Sequence, residues 1–241
     1  MPKLEAFTDI YSAGSHKDDR TGLPGLGNAI RKLKLNDVDI LELDYASSSL
    51  GALKEEFLKN LYLAASGISL IPGNAPSDVL SRIRIYYPSD KTVKDSTGGP
   101  DCGGIITLSR AHYNAPTFPR QCLREHKSTR PGVLSHNKML LARGRKKDGS
   151  PFAWAYVGSA NLTESAWGSQ KVLKKSGKGG VLNVRNWECG VVVPVPKEKL
   201  EGLGLDEGEV PDMGVFEGTV EVPFQYPGED YKGKQPWFFR D

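Results

Sequence analysis

The stretch GVLSHNKMLLARGRKKDGSPFAWAYVGS, residues 132–159, constrains the fold more than any other. Two apolar runs flank a polar turn containing Asp148-Gly149, a pair suited to the positive φ that a tight hairpin needs. This predicts two antiparallel strands, Gly132–Gly144 and Phe152–Ser159, inside a larger sheet. Each run is too short to span a bilayer, which takes about 20 apolar residues.

The neighbouring segments say what kind of sheet it is. From Asp37 to Tyr45, Val38, Ile40, Leu41 and Leu43 are interspersed with acids, as in a strand. Leu50, Leu53, Phe57, Leu61 and Ala64 or Ala65 then recur at helical spacing, with Ser48 or Ser49 as the expected N-cap and Gly67 as the stop. Arg82–Tyr87 alternates again, as a half-buried strand ending at Pro88. Residues 88–104 read as a long polar, Gly-rich loop, 117–127 as a short helix and 169–180 as an exposed basic excursion. A further helix is expected to begin near Asn161. The valine run within Trp187–Pro196 reads as a strand buried on both faces, and Thr219–Phe224 as another strand. A strand–helix pattern of this kind predicts one α/β domain over residues 1–241, a mixed β-sheet flanked by helices, with a loosely built segment from 196 to 241.

Charge and cysteine usage narrow the function. A net charge of +3 tolerates a polyanionic partner without demanding one. The three cysteines lie far apart and fit a reduced intracellular protein better than a disulfide framework. The start, MPKLEAFTDIYSAG, lacks the basic and apolar regions of a secretory signal. A soluble protein of the cytosol or nucleus is expected, with no membrane partner.

The chemistry is concentrated around His136. The predicted strand includes His136, so His136 and Lys138 share a face, because residues two apart on a strand point the same way. An imidazole beside an ammonium suits a phosphoryl centre, one moving protons or attacking phosphorus and the other holding anionic oxygens. The following turn, VGSANLT, has small residues at Gly158, Ser159 and Ala160 that would let backbone N–H groups and a helix N-terminus approach an anion. Asn161 with Glu164 also fits a capping box, a purely structural role.

Taken together, SHNKMLLARG, FAWAYVGSANLTESAWG and NWECGVVVP resemble the second active-site motif of tyrosyl-DNA phosphodiesterases, a branch of the phospholipase D superfamily. That superfamily typically carries H-x-K-x4-D, and here Arg143 stands where the aspartate would fall. Loss of that acid with Asn161 downstream is the tyrosyl-DNA phosphodiesterase pattern. YASSSLGAL, the YYPS strand with its Gly-rich loop, and QPWFF resemble other parts of the same family, specifically its C-terminal half.

The resemblance implies one half of a pseudo-symmetric two-domain enzyme that cleaves the bond between a DNA 3′ end and a topoisomerase I tyrosine in DNA repair, through a phosphohistidine and without metal or cofactor. His136 would be the general acid/base, Lys138 and Asn161 would hold phosphate oxygens, and Glu188 would hydrogen-bond an active-site imidazole or be only a surface acid. Ser48, Ser49, Ser159 and Thr163 would contact single-stranded or 3′-end DNA. Trp237 would stack on a base or peptide, or seal the edge of the core. A nuclear protein, also present in the cytoplasm, is implied. The family needs two H-x-K motifs and this chain has one, since His16 and His126 are each followed by lysine and His112 by tyrosine. In-line displacement needs a nucleophile opposite the acid, so the partner half would supply it and the chain alone would be inactive. Two other readings stay open: a homodimeric phospholipase D-like nuclease with His136 meeting its copy, and a DNA-binding module without catalysis.

Overall fold

A computed structural model describes residues 12–16, 21–70, 74–172 and 179–239. In chain order, β1 (Ser12–His16) and α1 (Gly22–Lys32) precede β2 (Val38–Ala46), α2 (Glu55–Ala65) and β3 (Ile83–Tyr87). Then come α3 (Asp90–Lys94), α4 (Arg110–Asn114), β4 (Leu123–Glu125), β5 (Lys138–Lys146) and β6 (Pro151–Gly158). Last are α5 (Glu164–Trp167), β7 (Ser169–Val172), β8 (Gly179–Glu188), β9 (Gly190–Pro194) and α6 (Lys197–Glu201). Six strands form a mixed sheet in the order β4-β3-β2-β5-β6-β9, and a smaller sheet runs β1-β8-β7.

The hairpin organises the large sheet. β5 pairs antiparallel with both β2 and β6, so it lies in the interior with Leu140, Leu141 and Ala142 fully buried. β2, β3 and β4 run parallel, and their carboxyl ends open on the same side as the start of β5. Strand alternation divides the core. Leu41, Leu43, Tyr45, Ile83, Ile85, Leu140, Ala142, Trp154 and Tyr156 pack with α1 and α2 on one face. Tyr86, Met139, Leu141, Ala153 and Ala155 pack on the other against Leu200, Met213, Phe216 and Phe224.

The second face also carries a buried ion cluster. In-register pairing sets Asp44 beside Arg84 and Glu42 beside Arg143. Asp44, with no exposed surface, accepts from Arg84 at 2.6 Å, from Arg143 at 2.7 Å and from the Tyr86 hydroxyl at 3.1 Å. Burying such charges is costly unless every oxygen is met, and here the guanidinium of Arg143 also donates to Pro211 O at 2.7 Å.

Several local expectations are corrected. Helix α2 begins at Glu55 with Lys54 at its N-cap, so neither Ser48 nor Ser49 caps it. Residues 88–104 contain α3, capped by Ser89, and much of the 3-10 turn Gly99–Ile105 rather than an open loop. The stretch 117–127 holds a 3-10 turn and strand β4 instead of a helix. Strand β3 is buried at four of its five positions, Arg84 alone being half-buried. Strand β9 is an edge strand, so Val192 is buried while Val191 and Val193 are only half-buried. Part of 169–180 pairs as β7 and β8, and 173–178 of the basic excursion lie outside the described residues. Thr219–Phe224 makes only an isolated bridge, Ser128 with Phe224.

The segment after Pro196 has little regular structure yet is firmly packed. It forms bridges Ser89–Pro236, Arg124–Asp230 and Ser128–Phe224, and the Tyr231 hydroxyl donates to Tyr87 O at 2.5 Å. Trp237 is 8% exposed, and its indole N–H donates to Gly103 O at 3.0 Å. A side chain on Gly103 would collide with that ring. No helix among the described residues is long and apolar enough to cross a membrane.

Candidate active site

The site forms where the start of β5, the end of β6 and the carboxyl end of β2 meet, the side of a parallel sheet on which ligands commonly bind. β5 begins at Lys138, so His136 and Asn137 precede the strand rather than continue it. The shared strand face expected for His136 and Lys138 therefore gives way to a different link. The Lys138 ammonium folds back and donates to the backbone oxygen of His136 at 2.7 Å. Lys138 is 5% exposed, and burial pushes its pKa down while the charge of Glu188 opposes that shift. The His136 imidazole is exposed; partial burial first, and then the Lys138 charge, lowers its pKa. A lowered value leaves it largely neutral at pH 7, as a base requires.

Lys138 pairs in register with Gly158, which carries the chain into the turn that ends at Thr163. That turn is locked to residues 45–51. The Tyr45 hydroxyl donates to Ala160 O at 2.8 Å and accepts from the Trp167 indole at 2.7 Å. Ala160 N–H donates to the Tyr156 hydroxyl at 3.2 Å, and Leu162 N–H to Ser47 Oγ at 3.0 Å. Asn161 is held by its side-chain oxygen, which accepts from Ser49 N–H at 3.0 Å and from the Ser48 hydroxyl at 3.1 Å. With Oδ1 occupied, the amide NH2 is the Asn161 group left to donate to a ligand.

The locking corrects two expectations. Asn161 is not the helix cap: Thr163 is, its Oγ1 accepting from Ala166 N–H at 3.1 Å. The turn also offers no anion cradle of free N–H groups, since Ser159 N–H donates to Cys189 O at 2.9 Å and those of Ala160 and Leu162 are spent as above. Side chains are therefore the main groups left to hold an anion.

The remaining candidates separate cleanly. Glu188, at the end of β8, accepts from the Ser159 hydroxyl at 2.6 Å and from the Asn186 amide at 2.9 Å. It joins the cluster through Ser159. Ser48, 2% exposed, serves Asn161 and has no open surface for a phosphate. Trp237 is buried in the core with its indole N–H spent on Gly103 O, an arrangement that fits the sealing role. Arg143 stands five residues beyond Lys138, on the opposite sheet face, inside the ion cluster with Asp44.

Beside His136 lies an open cleft of about 430 Å³, lined by Arg130, Val133, Asn137, Glu221 and Pro223 among others. Sequence reasoning missed Ser47, Tyr45 and Tyr156, whose hydroxyls fix the turn. Their only signal is position: Tyr45 and Tyr156 lie near the ends of β2 and β6, and Ser47 opens the serine run.

A sequence profile described as tyrosyl-DNA phosphodiesterase matches residues 7–232. The fold is similar to a crystal structure of a mutant yeast tyrosyl-DNA phosphodiesterase 1, with a TM-score of 0.61 at 18% identity. The match covers 96% of this chain and 56% of that one, so this chain spans little more than half the length of that relative.

Proposed function

Because the chain belongs to the tyrosyl-DNA phosphodiesterase family, we propose that it is the half of such an enzyme that carries the general acid/base and the groups holding the phosphate. Its substrate is a DNA 3′ end joined through a phosphodiester to a tyrosine or a topoisomerase I peptide, and it works in nuclear DNA repair. The observation that carries this reading is that Lys138 is braced on His136 O while Asn161, three residues past Gly158, the ladder partner of Lys138, has its oxygen occupied by Ser48 and Ser49. Both then present only donors, one charged and one neutral, as an anionic phosphoryl group requires.

In the first step a partner imidazole attacks phosphorus, a P–N bond forms, and the P–O bond to tyrosine breaks as His136 gives its proton to the leaving oxygen. In the second, neutral His136 takes a proton from water, which attacks phosphorus and breaks the P–N bond, leaving a DNA 3′-phosphate. The attacking imidazole comes from a second H-x-K motif, which this chain does not contain. Ser159 steadies Glu188 beside Lys138, and Ser49 and Thr163 line the DNA path.

A 3′-phosphotyrosyl oligonucleotide tests the reading, offered to size-separated monomer and dimer with and without a polypeptide supplying another H-x-K. Turnover is expected only with that polypeptide, and only with His136 intact. Turnover by monomer alone would sink the two-histidine scheme; turnover by dimer alone would favour a homodimeric nuclease. Binding of the oligonucleotide without turnover in any combination would favour a DNA-binding module.

A further inference from the structure

Beside the His136 cleft lies a second, smaller and partly enclosed cavity, lined by Ser47, Thr92, His126, Ser128, Ser135 and Asn137 among others. It shares Ser128, Val133, Leu134, Ser135 and Asn137 with the cleft, so the segment 133–137, together with Ser128, borders both spaces. We propose that this cavity is a binding site for one ordered water, which donates to Nε2 of His126 and braces the segment that carries His136.

Three observations meet here. First, His126 is 6% exposed, packs against Phe224 with ring centroids 5.4 Å apart, and its buried Nε2 has no partner among the described residues. A buried polar nitrogen left unmet is costly, so a partner is demanded. Burial also pushes this imidazole down to about 4, so it is neutral at ordinary pH.

Second, the size fits one water. The space open to a water centre is about 20 Å³, against the roughly 10–15 Å³ that a single water needs.

Third, hydrogen-bond accounting selects the ligand. The Thr92 hydroxyl is spent on Glu125 at 2.9 Å and that of Ser47 on Ser49 O at 2.7 Å, so neither serves His126. Ser128 Oγ accepts from Arg130 N–H at 3.0 Å and Ser135 Oγ from Asn137 N–H at 3.3 Å, which leaves both hydroxyl protons to donate. A water can therefore give one proton to His126 and accept from Ser128 or Ser135. It joins the end of β4 to the residues leading into β5. The neighbouring carboxylate, Glu125, is already met by Ser89, Thr92 and Lys234, which leaves no acidic group for a cation.

This inference does not depend on the catalytic role of His136, and its test uses no turnover. A high-resolution crystal structure of the chain should show density about 2.7–3.2 Å from His126 Nε2. Oxygen-17 relaxation dispersion should count one long-lived water fewer in His126→Leu than in wild type, while His126→Gln, which keeps an acceptor, retains it. The His136 imidazole titration, followed by NMR, should move in His126→Leu and return in His126→Gln. An empty or collapsed cavity in the crystal, or equal water counts in wild type and His126→Leu, overturns the site. A lost water with an unmoved His136 titration overturns the brace. If the leucine variant does not fold, the crystal density alone decides.

Discussion

The ammonium of Lys138 donates to the carbonyl oxygen of His136 at 2.7 Å, so the two residues of the motif are joined through backbone rather than through a shared strand face. Removing Lys138 takes away a charge and a local brace together. In an enzyme with both H-x-K motifs, Lys138→Ala should weaken transition-state stabilisation by about 2.7–4 kcal/mol, the cost of losing one such donor. Steady-state kcat on a tyrosyl oligonucleotide measures it, and an unchanged kcat would show that Lys138 only anchors the strand.

The serine turn acts on substrate through Asn161. Ser48→Ala removes one of the donors on Oδ1 but leaves Ser49 N–H in place. The expected loss is about 1 kcal/mol, that of one hydrogen bond. Asn161→Asp replaces the free amide by an anionic oxygen and should abolish binding of a phosphate-mimicking inhibitor. Calorimetric titration of both variants checks the ranking; equal affinities would detach Asn161 from the phosphate.

The lowered pKa of His136 has a kinetic signature. Below that pKa the imidazole is protonated and serves the first step as acid, while the second step lacks its base. Above it the order reverses. The covalent phosphohistidine adduct should therefore accumulate in acid and vanish as pH rises, which quenched-flow sampling at several pH values would reveal. An adduct level independent of pH would remove His136 from the water step.

Burial lowers His126 to about 4 from 6.5. Between these values the unfolded chain binds the proton and the folded one does not, so stability is complete above about pH 6.5 and is lost as pH falls towards 4. The span corresponds to roughly 3 kcal/mol. Urea unfolding across that range should show the slope, and His126→Gln should flatten it; parallel slopes would mean other groups govern acid sensitivity.

Asp44, itself without exposed surface, meets two arginines, of which only Arg84 has a second carboxylate, Glu42, among the described residues. Asp44→Ala leaves Arg84 and Arg143 facing each other, and a loss of about 3–5 kcal/mol is expected, as when one partner of a buried pair is removed. Urea midpoints for Asp44→Ala and Arg143→Met compare the two; a mild effect of Asp44→Ala would mean that water reaches the cluster.

The sheet was legible because β5 and β6 are continuous apolar runs joined by the Asp148-Gly149 turn, and β2 sets apolar residues among acids. Local patterns stopped short wherever a distant partner decided. Asn161 and Thr163 both satisfy a capping pattern, and the choice between them falls to Ser48, 113 residues away from Asn161. Residues 123–125 form a strand because β3 offers its free edge, as Ile85 pairs with Leu123. His136 leaves the ladder because Asn137 N–H turns to Ser135 Oγ at 3.3 Å. In the 88–104 stretch, Ser89 caps a helix whose shortness hides its period.

The bridges from Phe224, Asp230 and Pro236 back to Ser128, Arg124 and Ser89 set an order on biosynthesis. A nascent chain can build β2, β3, β5 and β6 once residues 38–158 have emerged, but the flank of β3 and β4 and the cover over His126 wait for residues 224–236. Until these emerge, Tyr86, Tyr87 and the edge of β4 stay open to misassociation, the condition under which chaperones engage a growing chain.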